Sequence, residues 1–325
     1  MGQKWSGSPC NDASFNSTFA PDARVSTAVG ATTGLTYNSI QDALDAGRKH
    51  IYIEGGVYNE DVTIVNSNVR LTGSRPPNTS STASCVTIGG QVAIGANADY
   101  VTLENLLSYN SGSNGFRIAG GAHHINLIRC YARGATSNGF QFMYGTGGHT
   151  NINMLQCVAY ECGGDGVGIL DPSIADGIEL SMTDCWIYSS GGSGIDICSA
   201  ETYAASGMRI VKAKGCTIRT NVYYGIYVGE YASLIMEGCE IYSNNGGVFI
   251  RQPANSVARS ILTGNLIRNN SGGAGGGISL SGTSSNVLLL GNICQSNGGT
   301  NFSNCDLCPG YATNGLTAPG TNRTV

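Results

Sequence analysis

The chain is poor in charge: Asp, Glu, Lys and Arg make up only 12% of its 325 residues, with a net charge of −4. Its 17 basic residues form no cluster, so there is no stripe of cations for a phosphate backbone and no nucleic-acid partner is expected. Long apolar runs are missing too. None approaches the roughly 20 residues a membrane-spanning helix needs, so no membrane partner is expected. The opening Met1-Gly2-Gln3-Lys4-Trp5-Ser6 has no apolar segment of the kind a secretory leader carries. Histidine is scarce, at His50, His123, His124 and His149, and Cys305-Asp306-Leu307-Cys308 lacks the second pair of a zinc ribbon. No metal and no cofactor are expected.

Glycine is in excess, with 48 residues, about twice the usual share. No Gly-X-Y period is present, which excludes collagen, and 41% hydrophobic residues exclude a disordered chain. Such a composition predicts many tight turns with positive φ. Twelve cysteines would suggest disulfides in an exported chain, but their placement suggests otherwise.

The placement is periodic. A strand-like run ends at or near Asn105, Cys130, Cys157, Cys185, Cys216, Cys239, Asn265 and Asn292, a spacing of about 27 residues. About ten residues later a small residue and Gly open a second short strand, as in Asn114-Gly115-Phe116, Asn138-Gly139-Phe140, Asp165-Gly166-Val167 and Ser193-Gly194-Ile195. Each unit holds three runs that alternate with period two, and no helical period survives. Three short strands cannot bury their own apolar face, whereas stacked coils can, each inward residue resting on its equivalent one coil away. The pattern predicts an all-β, single-stranded parallel β-helix of about nine to ten coils over residues 38–300. An arm (1–37) contacting a partner would precede it and a tail (301–325) follow. Ser39 to Gly47 reads as a short amphipathic helix closing the first coil, with Ser39 as cap.

Alternation assigns the faces. With the Asn/Cys marks inward, Leu107, Ala132, Ala159, Ile187, Ile218, Ile241, Ile267 and Cys294 are inward too. The cysteine column is then a buried stack of free thiols acting as small hydrophobes, and Asn105, Asn265 and Asn292 form an amide ladder. One outward column reads Leu106, Tyr131, Val158, Trp186, Thr217, Glu240, Leu266, Ile293, too apolar to stay wet; either loops of the chain or a neighbouring subunit would cover it, and Tyr131, Val158, Trp186, Leu266 and Ile293 are the interface candidates. The other reads Ser108, Arg133, Tyr160, Tyr188, Arg219, Tyr242, Arg268, Gln295. Its Arg133, Tyr160, Tyr188, Arg219, Tyr242 and Arg268 suit a sugar or a protein, or merely stack on one another to stabilise the sheet.

Helix, then Ile51-Tyr52-Ile53-Glu54-Gly55-Gly56-Val57-Tyr58-Asn59-Glu60, then Val69-Arg70-Leu71-Thr72-Gly73, resembles the opening of the pectin-lyase-like superfamily. The resemblance covers roughly residues 35–300 and implies a right-handed parallel β-helix. It leaves activity open, because that superfamily holds lyases, hydrolases, esterases, epimerases and non-catalytic viral proteins. The paired Asp, G-H-G and R-x-K pattern of polygalacturonases does not occur, nor does the D-P-H signature of alginate epimerases, approached only by Leu170-Asp171-Pro172-Ser173. One acidic concentration stands out, with Asp165, Asp171 and Asp196 as its catalytic candidates. Asp165 occupies the turn slot of Asn114 and Asn138, which a turn role explains more simply.

These features lead to the expectation of a non-enzymatic structural protein on a virion surface, made in the host cytoplasm. A capsid decoration or tail-spike-like homotrimer would contact other virion proteins such as a major capsid protein, and would bind a surface polysaccharide. The alternatives are an extracellular location and a polysaccharide lyase, hydrolase or epimerase with a divergent acidic site.

Overall fold

The computed structural model describes residues 21–27, 36–77, 85–143, 149–170, 177–197, 209–230, 232–252, 258–271, 276–282, 286–298, 302–303 and 323–324. Short alternating strands separated by turns wind into a parallel β-helix with three sheets along its length. The first holds twelve strands and ends at Val287–Leu290; the second holds eleven, from Gly56–Tyr58 to Arg323–Thr324; the third holds ten, from Val62–Ile64 to Phe302–Ser303. Within each sheet neighbouring strands are parallel and, apart from Ala23–Val25 against Thr36–Tyr37, one coil apart in sequence, as in Ile187 opposite Ile218 and Ile218 opposite Ile241. The sheets exceed the expected 38–300 boundaries. Ala23–Val25 and Thr36–Tyr37 extend the first sheet, and two short strands after residue 300 pair with Ile278–Ser279 and Ile293–Cys294.

The cysteines stack as the period requires. Val158 N–H donates to Cys130 O, Trp186 N–H to Cys157 O and Thr217 N–H to Cys185 O, which sets successive marks one coil apart. Cys130, Cys157, Cys185, Cys216 and Cys239 are buried free thiols. Each donates to a main-chain carbonyl of the preceding coil, Cys157 to Leu127 at 3.2 Å and Cys239 to Ala213 at 3.4 Å. Burial raises the Cys157 thiol well above its ordinary range and Cys162 to about 11, so both stay neutral. Cys305 and Cys308 lie outside the described residues.

Asn105 does not belong to the inward column. It has φ 59, the left-handed conformation that Arg129, Gln156 and Asp184 adopt just before their cysteines, and that Gly215, Gly238, Gly264 and Gly291 take in later coils. The register of that coil is therefore one residue later. Leu106 fills the cysteine slot and Ser108 pairs with Ala132, so both point inward rather than outward. Asn265 and Asn292 do form an amide ladder, with Asn265 Nδ2 2.8 Å from Asn292 Oδ1. A second ladder stands five residues later, through Asn221, Asn244, Asn270 and Asn297.

The recurrent glycine after each small residue serves a different purpose from the one expected. None of Gly115, Gly139, Gly166, Gly194, Gly225 and Gly247 has positive φ. A Cβ on any of them would meet the main-chain oxygen of the equivalent glycine one coil on, at 2.6 Å for Gly194 against Gly225 O. Backbones approach too closely there for a side chain. Positive φ falls mostly on Asn, Ser and other residues instead.

Helix α1 (Ile40–Asp45) closes the first coils, burying Ile40, Ala43 and Leu44. Ser39 caps it, Oγ accepting from Asp42 N–H at 3.1 Å. The opening motif supplies the rest of the cap: the Glu60 carboxylate accepts from Ser39 Oγ, Ile40 N–H and Gln41 N–H, where the helix presents unsatisfied donors. Tyr58 donates its hydroxyl to Glu54 O at 2.9 Å. In this motif Glu60 serves end closure, while Ile51 and Ile53 face the core by strand alternation.

Candidate binding faces and the acidic cluster

The Tyr/Arg column stands on the second sheet, and the structure joins it into one stack. Arg133 lies over Tyr109 at 5.4 Å and over Tyr160 at 5.2 Å; Tyr160 and Tyr188 stack at 5.2 Å. Arg219 lies 4.8 Å from the Tyr188 ring and 6.0 Å from Tyr242, which Arg268 covers at 4.5 Å. Tyr109, hidden from the sequence reading by the Asn105 misregister, is its first member. Glu161 pairs with Arg133 and Glu240 with Arg268, fixing two guanidinium planes. Ring faces in this column are occupied by their neighbours, each contact adding about 0.5–1 kcal/mol where exposed.

Burial pushes the Tyr160 phenol up to about 12, with the Arg133 charge opposing it. A hydroxyl whose folded pKa lies above its ordinary 10 favours folding fully below pH 10, and that advantage is lost as pH rises toward 12. Alkaline unfolding titrations should therefore show stability falling between about pH 10 and 12, and Tyr160→Phe should flatten the fall. Equal pH dependence in both proteins would contradict the assignment.

The apolar column on the same sheet is unevenly exposed. Val158 is buried between Tyr131 and Trp186 of the flanking coils, Tyr131 and Leu266 are half-buried, and Trp186 and Ile293 are exposed at 51% and 38%. Exposure concentrates on two points rather than along an edge.

The acidic candidates separate. Asp165 is a turn residue: its N–H donates to Asn138 Oδ1 and its Oδ1 accepts from Ser193 N–H, both at 2.7 Å, continuing a ladder begun by Asn114 and Asn138. Burial raises its pKa, and the Ser193 N–H partly offsets this. Asp196 lies on the outward side of the third sheet, between Gly168 and Tyr227, only 8% exposed. Asp171 lies outside the described residues. No cluster of three His, Cys, Asp or Glu side chains suited to a metal occurs among the described residues.

Sequence reasoning missed a trough on the outward side of the first sheet, over its N-terminal coils. A cavity of about 670 Å³ there is lined by Tyr52, Arg70, Thr72, Tyr100 and Thr102 among others. It adjoins a second of about 310 Å³, which shares Tyr100 and Thr102 and adds His124, Asn126 and Asn153. The available signal was the His123-His124 pair, whose position before a first-sheet strand matches that of Tyr100 one coil earlier.

Comparison with known proteins follows the fold. A family model described as the right handed beta helix region matches residues 202–314. No curated protein matches the sequence. Among solved structures, ORF18 of Geobacillus virus E2 superposes with a TM-score of 0.61 at 16% identity, over 82% of this chain and 56% of the viral one. The chain thus spans little more than half of that protein's length. Pectate lyase Pel9A gives 0.58 at 12% identity, over 83% of this chain and 80% of the lyase. The A-module of mannuronan C-5 epimerase AlgE4 from Azotobacter vinelandii gives 0.52 at 13%, over 88% and 94%. At such identities the likeness is one of fold: the molecule has a right-handed parallel β-helix.

Proposed function

We propose that the protein is a non-enzymatic structural component of a virion surface, a capsid decoration or tail-spike-like protein that assembles as a homotrimer through its second-sheet face. The observation that carries this reading is the continuous Tyr109-to-Arg268 stack, which stiffens that face, bordered by exposed Trp186 and Ile293. A stiff face with two protruding apolar side chains suits docking against a copy of itself, where aromatic anchors dominate the energy. The fold shared with a viral protein agrees with it. Asp165, with its carboxylate engaged in a turn, is poorly placed for acid–base work.

Native mass measurement tests the assembly. The wild type is expected as a trimer at micromolar concentration and Trp186→Glu as a monomer with unchanged thermal stability; a monomeric wild type overturns the reading. The rival, a polysaccharide-active enzyme, draws support from the buried Asp196 on the third sheet. Release of reducing ends or loss of viscosity from an acidic polysaccharide, abolished by Asp196→Asn, would establish it instead.

A further inference from the structure

We infer that the trough on the first sheet is a binding site for a neutral oligosaccharide, separate from the second-sheet face and independent of the virion reading. The argument begins with backbone conformation. Four residues at equivalent register positions of successive first-sheet strands share the left-handed region: Asn68 with φ 61, Tyr100 with φ 57, His124 with φ 57 and Asn151 with φ 57. Asparagine adopts this conformation readily, whereas a bulky tyrosine there is an outlier with an energetic cost. Folding alone would be served better by asparagine at position 100, as at 68 and 151. The structure nevertheless sets a tyrosine beside a histidine, rings parallel within 11° and centroids 4.4 Å apart.

Tyr100 is the member of the pair presented to solvent, on a half-buried His124. His124 covers one face of the Tyr100 ring, yet Tyr100 remains 56% exposed, so its other face borders the trough. His124 Nδ1 is buried and has no hydrogen-bond partner among the described residues. A flat aromatic surface beside polar groups is the usual composition of a small-molecule site. The polar groups here are amides and hydroxyls: Asn153 Nδ2 bonds Asn126 Oδ1 at 3.2 Å, leaving the outer amide atoms to solvent, and Thr102 contributes a hydroxyl between the two cavities. That combination recognises a ring with an apolar face and a rim of hydroxyls, which describes a pyranose.

Charge selects among sugars. Among the described residues no carboxylate lines either cavity, and the one guanidinium, Arg70, is already paired with Glu104 at 2.8 Å. With no uncommitted guanidinium or ammonium to hold a carboxylate, the trough suits an uncharged saccharide rather than a polyuronate. The trough crosses five strands, from His50–Ile53 to His149–Leu155, or about 19 Å at the usual strand spacing, which is room for an oligosaccharide rather than one sugar.

The test uses the full chain with maltotetraose, cellotetraose, mannotetraose and chitotetraose, and tetragalacturonate as the charged comparison, read by saturation-transfer NMR and titration calorimetry. At least one neutral tetrasaccharide is expected to bind, tetragalacturonate at least tenfold more weakly. Tyr100→Asn is expected to weaken binding at least tenfold while keeping or raising the melting temperature, because asparagine suits the backbone there; His124→Asn should do likewise. The inference is overturned if none of the four neutral sugars binds, if tetragalacturonate binds better, or if binding survives both substitutions. Native mass should be the same in the variants as in the wild type, so failure here is distinguishable from failure of the trimer.

Discussion

Asn244→Ala is expected to lower the free energy of unfolding by roughly 3–5 kcal/mol, although it removes only a small side chain. Asn244 is 1% exposed and holds a position in the second amide ladder. Its Oδ1 accepts from Asn221 N–H at 3.0 Å and from Asn221 Nδ2 at 2.9 Å; its Nδ2 donates to Ile218 O at 3.2 Å and to Asn270 Oδ1 at 3.1 Å. Alanine leaves Asn221 N–H, Asn221 Nδ2 and Ile218 O buried beside a space too small to hydrate them well, while Asn270 Oδ1 keeps the Asn244 N–H at 3.0 Å. Unmade bonds at buried groups cost the full desolvation of each, which is why a deletion here exceeds the value of one ordinary hydrogen bond. Asn244→Asp should be at least as damaging at neutral pH, since it keeps the acceptor but loses the donor and sets a carboxylate against Asn270 Oδ1. Its stability should recover in part on acidification. Urea unfolding at about pH 7 and about pH 4, either side of a buried carboxyl's titration, measures both effects. A loss under about 1 kcal/mol for Asn244→Ala would mean that the ladder contributes little.

Gly194→Ala should cost about 3 kcal/mol or more, an overpacking effect rather than a conformational one. The new methyl would lie 2.6 Å from Gly225 O and Asn221 Nδ2 would stand at 2.8 Å, with the Ile218 side chain nearer still. Relief would require separating two coils, and coils are held at strand spacing by every other hydrogen bond in the stack. Gly238 provides the contrast. It has φ +61, a Cβ added there would meet nothing within 4 Å, and earlier coils carry Arg129, Gln156 and Asp184 in its place. Gly238→Asn should therefore change stability by no more than about 0.5 kcal/mol. Thermal or urea unfolding of both variants decides the matter, and equal losses would show that conformational freedom, not proximity, explains the glycine column.

Most of the solenoid was legible because a period of about 27 residues with buried marks leaves few other solutions. Where the reading slipped, it slipped by a single residue. Asn105 resembles Asn265 and Asn292 in type but has the conformation of Arg129, and only backbone geometry separates an amide in a ladder from an amide in a left-handed turn. That one-residue error reversed the faces of Leu106 and Ser108 and concealed Tyr109, as strand alternation dictates. The Asn221–Asn297 ladder went unread, because five residues after Cys130, Cys157 and Cys185 the sequence carries Ala135, Cys162 and Ser190, and Asn recurs in succession only after the last four marks. The trough went unread too, because it depends on two rings at left-handed positions and on space between side chains, neither of which alternation reports.

From Arg129 onward, each left-handed residue of that column is followed at once by an inward Cys or Asn, so a cut at that boundary is the same cut in every coil. Joining Gly215 directly to Cys239 would recreate a glycine–cysteine step already found at Gly215-Cys216 and Gly238-Cys239. Thiols, amides and main-chain bonds would each meet a partner of the kind they had before. Length in this rod is therefore quantised, changing in steps of about 4.8 Å per coil, and shortening or tandem duplication offers a route to a new reach without a new architecture.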